Sequence, residues 1–367
     1  MIGIFGGAFD PPHGEHVAIV KGLSEIGLFE KIVLLPSGNS PHKPFLSPFA
    51  ARKRMIEAAF SGIPVEISDA EHSFFGKAYS SEILPLMKKD YGEIGFIIGG
   101  DSLLAFRTWH EPREVLKVCP IFVVPRGEES VPALCAFASD LTEELGGSVT
   151  VLDSVRGEEA SSSLLRAAIA LGEETKGLLP CVKEIALEEG LYAEKRAMAE
   201  KVKASLPEKR WKHTCGVVLT GIKMAEAFGV DKEKAFVACL LHDCMKYSEI
   251  VHAGVPADAV GTKVMHAFNG AEEAKIGFGV TDEDIINAVR YHTTGRANMS
   301  DLEKLVYLAD VVEPNRHYEG VEEIRAAAFR DLNEGFVLSL KRSYELLLQT
   351  GKPIYYLTIE CYNYYCK

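Results

Sequence analysis

Six short β-rich runs, at residues 2–5, 31–35, 65–68, 93–98, 121–124 and 149–152, fill the start of this 367-residue chain, and helical periodicity replaces them further on. Each run is apolar almost throughout, and amphipathic stretches separate them. Strands of that kind are buried on both faces, which predicts a parallel, doubly wound α/β sheet clothed by helices. Ligands of such sheets bind beyond the carboxyl ends of the strands. The length exceeds one ordinary core, so two domains are expected, 1–196 of α/β type and 197–367 all-α. Residues 193–210, rich in alanine and alternating charges and broken at Pro207, are expected to join them as one exposed helix or two short ones.

Composition narrows the class. With 47% hydrophobic and 25% charged residues the chain is globular rather than disordered. Its apolar runs fall far short of a membrane span, and the first residues lack the basic and apolar regions of a signal peptide. Eight cysteines without a C-x-x-C pair read as reduced core residues of a cytoplasmic protein. A net charge of −12 argues against a general nucleic-acid surface. The local exception is Lys43 with Arg52, Lys53 and Arg54, either a solvated helix face or a site for small anions.

After the first strand comes Gly6-Gly7-Ala8-Phe9-Asp10-Pro11-Pro12-His13-Gly14-Glu15-His16, then a helix expected from about Val17. Two glycines let a phosphate approach the backbone, and a helix start offers free N–H groups and the positive dipole end. His13 and His16 are spaced to face one phosphate across the first turn. This string resembles the signature of the nucleotidyltransferase superfamily, in particular nicotinate-mononucleotide adenylyltransferase, and the resemblance runs through about 195 residues. It includes Pro36-Ser37-Gly38-Asn39-Ser40-Pro41-His42-Lys43, Ala78-Tyr79-Ser80-Ser81, Gly99-Gly100-Asp101-Ser102, Trp109, Val124-Pro125-Arg126-Gly127, Ser161-Ser162-Ser163-Leu164-Leu165-Arg166, Leu179-Pro180 and Gly190-Leu191-Tyr192.

The resemblance implies a Rossmann-like nucleotidyltransferase domain that moves the adenylyl group of ATP, with Mg²⁺, onto nicotinate mononucleotide. His13 and His16 would bond phosphate oxygens as the catalytic pair. Gly6, Gly7, Phe9, Lys43, Gly99, Asp101 and Arg126 would bind substrates, and Ser161, Ser162 and Arg166 would hold the outer phosphates. Tyr79 and Ser80 would recognise the pyridine carboxylate, and Trp109 would stack on its ring. Trp109 as ordinary core and Ser161–Ser163 as a mere helix cap remain open. One departure stands out: the family's H-x-G-H is here His13-Gly14-Glu15-His16, with an acid where the chain normally lies against the nucleotide.

In the second half Leu240-Leu241-His242-Asp243-Cys244-Met245-Lys246 closes an apolar run, 235–241, that should be a buried helix. A buried imidazole beside a buried carboxylate is costly without a partner, and a metal ion supplies one. His213 is expected to start a helix, and His266, His292 and Asp310 to occupy inward helical positions. Imidazole mixed with carboxylate suits divalent iron, manganese or zinc better than magnesium, and this donor number suits two ions bridged by Asp243. The order His213, His242-Asp243, His266, His292, Asp310 resembles the HD phosphohydrolase superfamily. The strings His213-Thr214, residues 290–296, residues 308–314 and Thr358-Ile359-Glu360-Cys361-Tyr362-Asn363 resemble its symmetrical dinucleoside-tetraphosphatases. That implies two iron ions and cleavage of diadenosine tetraphosphate to two ADP. Asp243, Lys246 and Arg296 are the expected catalytic residues of this half, the two cations neutralising polyphosphate charge unless they are mere surface residues.

The expected partners are thus ATP, nicotinate mononucleotide and dinucleoside polyphosphates, with no nucleic acid and no membrane; self-association stays open. An alternative keeps the HD centre with another nucleotide and makes the first domain a nucleotide-binding regulatory module slowed by Glu15.

Overall fold

The computed structural model describes residues 1–38, 46–127, 129–156 and 161–367. The chain divides into two compact units, Met1–Ile169 with Glu174–Leu191, and Ala170–Glu173 with Tyr192–Lys367.

The first unit runs β1 (Ile2–Gly7), α1 (Gly14–Glu25), β2 (Lys31–Pro36), α2 (Phe49–Ala59), β3 (Val65–Ile67), α3 (Ala70–Ser73), α4 (Ser80–Tyr91) and β4 (Ile94–Gly99). It continues with α5 (Gly100–Leu104), α6 (Pro112–Val118), β5 (Ile121–Val124), α7 (Val131–Leu145), β6 (Val149–Val151), α8 (Ser162–Leu171) and α9 (Pro180–Glu188). The six strands pair in the order β3-β2-β1-β4-β5-β6, all parallel. Side chains alternate across this sheet. Ile4, Phe96, Ile98 and Val123 join Ile83 and Met87 of α4 and Leu134 of α7. Phe5, Leu34, Ile97 and Phe122 join Ile19 and Leu23 of α1 and Ile56 of α2. Both faces are covered, which is why the central strands β1, β4 and β5 carry no charged residue and are apolar on both faces rather than on one.

β1 and β4 are neighbours, so the strand order reverses between them and opens the crevice where such sheets bind ligands. The loop leaving β1 there is held rigidly. Arg52 donates from Nη1 to the Ala8 carbonyl (2.8 Å), Arg166 donates from Nη1 to the Asp10 carbonyl (2.8 Å), and the Ser47 N–H donates to Asp10 Oδ2 (2.9 Å). Arg52 is therefore neither a solvated face nor a free anion site; it is a buried brace. Helix α1 starts at Gly14, three residues before the expected Val17, because His13 itself is the N-cap.

Among the described residues the regular elements of the second unit are all helices: α10 (Ala193–Ala204), α11 (Glu208–Phe228), α12 (Lys232–Leu241), α13 (Met265–Ile276), α14 (Glu283–Tyr291), α15 (Asp301–Val312), α16 (Val321–Arg330), α17 (Leu332–Gln349) and α18 (Tyr356–Cys366). The expected join at 197 falls inside α10, a helix of this unit and not a bare connector. Its Ala199 and Val202 are buried, and Lys195 pairs with Glu233 at 2.6 Å. The expected break at Pro207 is the N-cap of α11. That long helix packs against α12 and α15. In α12, Ala235, Phe236 and residues 238–241 are fully enclosed, as an all-apolar helix requires. Among the described residues no helix is long and apolar enough to cross a membrane.

Candidate functional site

The helices of the second unit converge on a cluster of imidazoles and carboxylates. His213 projects from the first third of α11, and His242 and His292 cap the C-termini of α12 and α14. His266 is the second residue of α13, and Asp310 lies in the last turn of α15. Sequence reasoning placed His213 at a helix start and the others inside helices. The structure puts His213 five residues in, and sets His242, Asp243 and His292 just beyond helix ends, where a side chain can turn inward without crowding a preceding turn.

Asp243 sits at the middle. Its Oδ1 lies 3.1 Å from His266 Nε2 and 3.5 Å from His292 Nε2, whereas Oδ2 lies 3.6 Å from His242 Nε2. Asp310 Oδ1 is 2.9 Å from His213 Nε2 and 4.0 Å from His242 Nε2. His213, His242 and Asp243, and separately Asp243, His266 and His292, each bring their donor atoms within 4.8 Å of one another. Two half-sites thus share one carboxylate.

The rings are aimed by their far nitrogens. Nδ1 of His242 bonds the Cys239 carbonyl (2.7 Å), that of His266 the Lys263 carbonyl (2.8 Å), and that of His292 the Val289 carbonyl (2.7 Å). A carbonyl only accepts, so each Nδ1 carries the proton and each Nε2 keeps its lone pair for the centre. His213 differs, placing Nδ1 3.0 Å from Glu313 Oε1.

The electrostatics suit cations. Burial alone would raise the Asp243 and Asp310 carboxyls, but the surrounding imidazoles, with Arg316 beside Asp310, hold both well below the usual carboxylate range. Burial lowers His242 to about 4 and also lowers His266, so both stay neutral near pH 7. His213, desolvated yet set between Asp310 and Glu313, is raised instead. The enclosed atoms His213 Nε2, His242 Nε2 and Asp243 Oδ1 make no hydrogen bond of normal geometry. Such atoms cost about 1–3 kcal/mol apiece when left without a partner. Neutral imidazoles at His242 and His266, ionised carboxylates and unsatisfied ligand atoms fit a divalent-metal centre.

Cations ring the cluster. Lys246 Nζ lies 3.5 Å from Asp243 Oδ1 and 2.8 Å from His266 Nε2. Arg210 and Arg316, which sequence reasoning missed, reach further in. Arg210 Nη1 donates to Asp243 Oδ2 at 2.9 Å; Arg316 donates from Nε to the Asp310 carbonyl at 2.8 Å and from Nη2 to its carboxylate. The available signal was spacing: Arg210 precedes His213 by one helical turn. Arg296, expected among the catalytic cations, is bound elsewhere. It forms a two-pronged pair with the buried Glu303 (2.7 and 2.9 Å) and covers the Tyr291 ring. Charge alone could not tell a free arginine from one claimed by an acid seven residues on.

In the first unit, the site residues lie at the carboxyl edge of the sheet. Gly6 and Gly7 end β1, Gly99 ends β4, and Arg126 follows β5. A Cβ on Gly99 would stand 2.6 Å from Asp101 Oδ1 and 3.0 Å from Arg126 Nε, so a larger residue there would push those side chains aside. His13 and His16 stack with ring centroids 3.7 Å apart, and the His13 N–H donates to His16 Nδ1 at 3.2 Å. His16 therefore carries its proton on Nε2 when neutral. Burial and Arg126 lower His13 to about 3. Ser161 and Ser162 stand at the start of α8, where Ser161 Oγ accepts the Leu164 N–H (3.3 Å) and Ser162 Oγ reaches the Pro11 carbonyl (3.5 Å).

Some expected contacts take another form. The Phe9 ring is fully enclosed in the core, 4.7 Å from the His16 ring, so it orients a histidine and offers a ligand at most its backbone. Arg166 holds the Asp10 carbonyl and Ser163 Oγ (3.1 Å), which locks α8 onto the β1 loop. Trp109 leans on Phe106 and Phe96 at the edge of the core. The Tyr79 ring stacks on His110 at 4.1 Å, and Ser81 Oγ contacts His110 Nδ1 at 3.2 Å; His110 went unnoticed in the sequence although it adjoins Trp109. Ser80 begins α4. Lys43, with His42, lies outside the described residues. Glu15 is buried with its carboxylate 3.3 Å from Arg126 Nε, neither turned outward nor loose beside a phosphate.

Comparison with known proteins agrees with both halves. Residues 4–168 match the Cytidylyltransferase-like family and residues 210–315 the HD domain. The chain is 39% identical over 171 residues to the "Bis(5'-nucleosyl)-tetraphosphatase, symmetrical" of Halalkalibacterium halodurans, covering 44% of this chain and 91% of that one. It is 30% identical over 199 residues to the "Probable nicotinate-nucleotide adenylyltransferase" of Dehalococcoides mccartyi, covering 52% and 96%. Across 358 residues it is 28% identical to a Mycoplasma genitalium protein named "Probable nicotinate-nucleotide adenylyltransferase/Ap4A hydrolase", covering 92% and 96%. The chain therefore belongs, through its first half, to the nicotinate-nucleotide adenylyltransferase family and, through its second, to the symmetrical bis(5'-nucleosyl)-tetraphosphatase family of HD proteins.

Proposed function

We propose that this chain is a bifunctional enzyme with one activity in each of its two units. The first part joins ATP and nicotinate mononucleotide into nicotinate adenine dinucleotide and pyrophosphate, with Mg²⁺ on the ATP phosphates. The second cleaves diadenosine tetraphosphate with water into two ADP at a pair of divalent ions, iron by resemblance.

In adenylyl transfer the mononucleotide phosphate attacks the α-phosphorus of ATP and pyrophosphate leaves. No covalent help is needed, so the protein positions the reactants and stabilises charge on oxygen. His16, with its proton on Nε2, donates to a phosphate oxygen, and the start of α1 adds its N–H groups and dipole. Tyr79, Ser80 and Ser81 with His110 offer donors for the pyridine carboxylate. Arg126 supplies fixed positive charge once Glu15 yields it.

In the second unit bound cations supply an acidified water and a clamp on the attacked phosphate. His213, His242, Asp243, His266, His292 and Asp310 are the residues to hold them. Arg210, Lys246 and Arg316, which pair with Asp243 and Asp310 here, would be the side chains to meet the polyphosphate with charge-assisted bonds. The observation that carries this reading is the split of Asp243, one oxygen toward His266 and His292 and the other toward His242.

The test feeds the full-length enzyme ATP with nicotinate mononucleotide, and separately diadenosine tetraphosphate, and separates the products by chromatography. Asp243→Ala is expected to abolish ADP formation and spare dinucleotide synthesis; His16→Ala is expected to do the reverse. Hydrolysis of another nucleotide in preference to diadenosine tetraphosphate, or binding of ATP without pyrophosphate release, sinks the corresponding half of the proposal.

A further inference from the structure

Three of the four histidines at the centre of the second unit orient themselves with their own backbone, but His213 does not. It lies within α11, where the carbonyl one turn back is already an acceptor of the helix ladder. Its Nδ1 turns instead to Glu313 Oε1 at 3.0 Å. Glu313 is 1% exposed and follows α15 directly, three residues after Asp310. Its other oxygen accepts the Asn315 N–H (2.8 Å) and Asn315 Nδ2 (3.0 Å). Helix α11 makes room for that carboxylate at Gly216, where a Cβ would stand 2.3 Å from Glu313 Oε2. A buried acid, a glycine that admits it and an asparagine that pins it converge on one ring.

We propose that Glu313 is the positioning residue of one half-site alone, fixing His213 for the ion held with His242 and Asp310. The half-site of Asp243, His266 and His292 is positioned by backbone carbonyls and does not depend on it. A carboxylate behind an imidazole fixes the ring and raises its basicity, and losing such a partner typically costs 10–100-fold in metal affinity. The two ions are therefore unequal in what holds them. This inference rests on the two-ion reading of the second unit.

The test is a binding titration of the metal-free full chain with Mn²⁺, read by metal analysis and by electron paramagnetic resonance of the coupled ion pair. Wild type is expected to take up two ions and show the coupled signal. Glu313→Gln keeps the shape and removes the charge, and is expected to retain one ion, weaken the second about tenfold or more, and lose the coupled signal. Gly216→Ala, with Glu313 intact, is expected to give the same selective loss. Asn315→Ala, at an exposed position that tolerates truncation, is expected to give a smaller loss at the same half-site, and covers the case in which the buried variants do not fold. Wild-type affinity for both ions in the folded variants, or equal weakening of both, overturns the positioning role. A wild-type chain that binds one ion or none overturns the two-ion reading, and this proposal with it, before any variant is compared.

Discussion

Buried Glu15 and half-buried Arg126 form an ion pair at the carboxyl edge of the sheet, with Glu15 Oε1 3.3 Å from Arg126 Nε. Asp101 Oδ2 lies 3.6 Å from the same guanidinium, at Nη1. A carboxylate thus sits where the family signature has glycine, and it occupies the arginine that an incoming anion would use.

Glu15→Gln is expected to lower the KM for ATP about three- to tenfold, because Arg126 no longer has to leave a full charge. Removing one partner of this half-buried pair also destabilises, by about 1–3 kcal/mol, a modest cost because Arg126 stays partly solvated and keeps Asp101. Initial-rate kinetics and urea unfolding measure the two effects. An unchanged or raised KM would show that Glu15 only supports the fold.

His13 gives a pH dependence of defined sign. Burial first, then Arg126, lowers it from 6.5 to about 3, so between those values the unfolded chain binds the proton and the folded one does not. Its contribution to stability is complete above pH 6.5 and falls as the pH drops toward 3. At pH 5 the loss is about 2 kcal/mol. Urea unfolding at pH 7 and pH 5 should show a larger difference for wild type than for His13→Gln; equal differences would contradict the burial argument.

Arg316→Ala is expected to raise the KM for diadenosine tetraphosphate about tenfold while leaving the bound metal unchanged. The reason is that Arg316 pairs with Asp310 Oδ1, the oxygen that also faces His213, and would bond a polyphosphate oxygen once a cation takes Asp310. Steady-state kinetics at two salt concentrations provide the check, because losing a phosphate contact also flattens the salt dependence. Loss of metal instead would make Arg316 a structural support of the centre.

The pair of donors around Tyr79 and His110 predicts a preference for the acid over the amide of the pyridine mononucleotide. A site built to bond a carboxylate leaves its donors mismatched against an amide, so the ratio of kcat/KM values should reach about 100 or more. Competition between the two substrates at equal concentration measures it directly, and a ratio near unity refutes it.

What the sequence by itself determined is the class of each half and the identity of its reactive groups. Strands apolar almost throughout fitted a covered parallel sheet, and six inward imidazoles and carboxylates in apolar helices needed a cation between them. Both inferences rest on local pattern and on the cost of burying charge, which a single stretch of chain displays. What tertiary structure decided is which partner each charged side chain takes. Arg296 goes to Glu303, Arg210 to Asp243, Arg126 to Glu15 and His213 to Glu313. Three of those partners lie 33, 111 and 100 residues away in sequence, and no periodicity links them. An ion pair depends on distance in space raised through a low dielectric, and only the folded chain sets that distance.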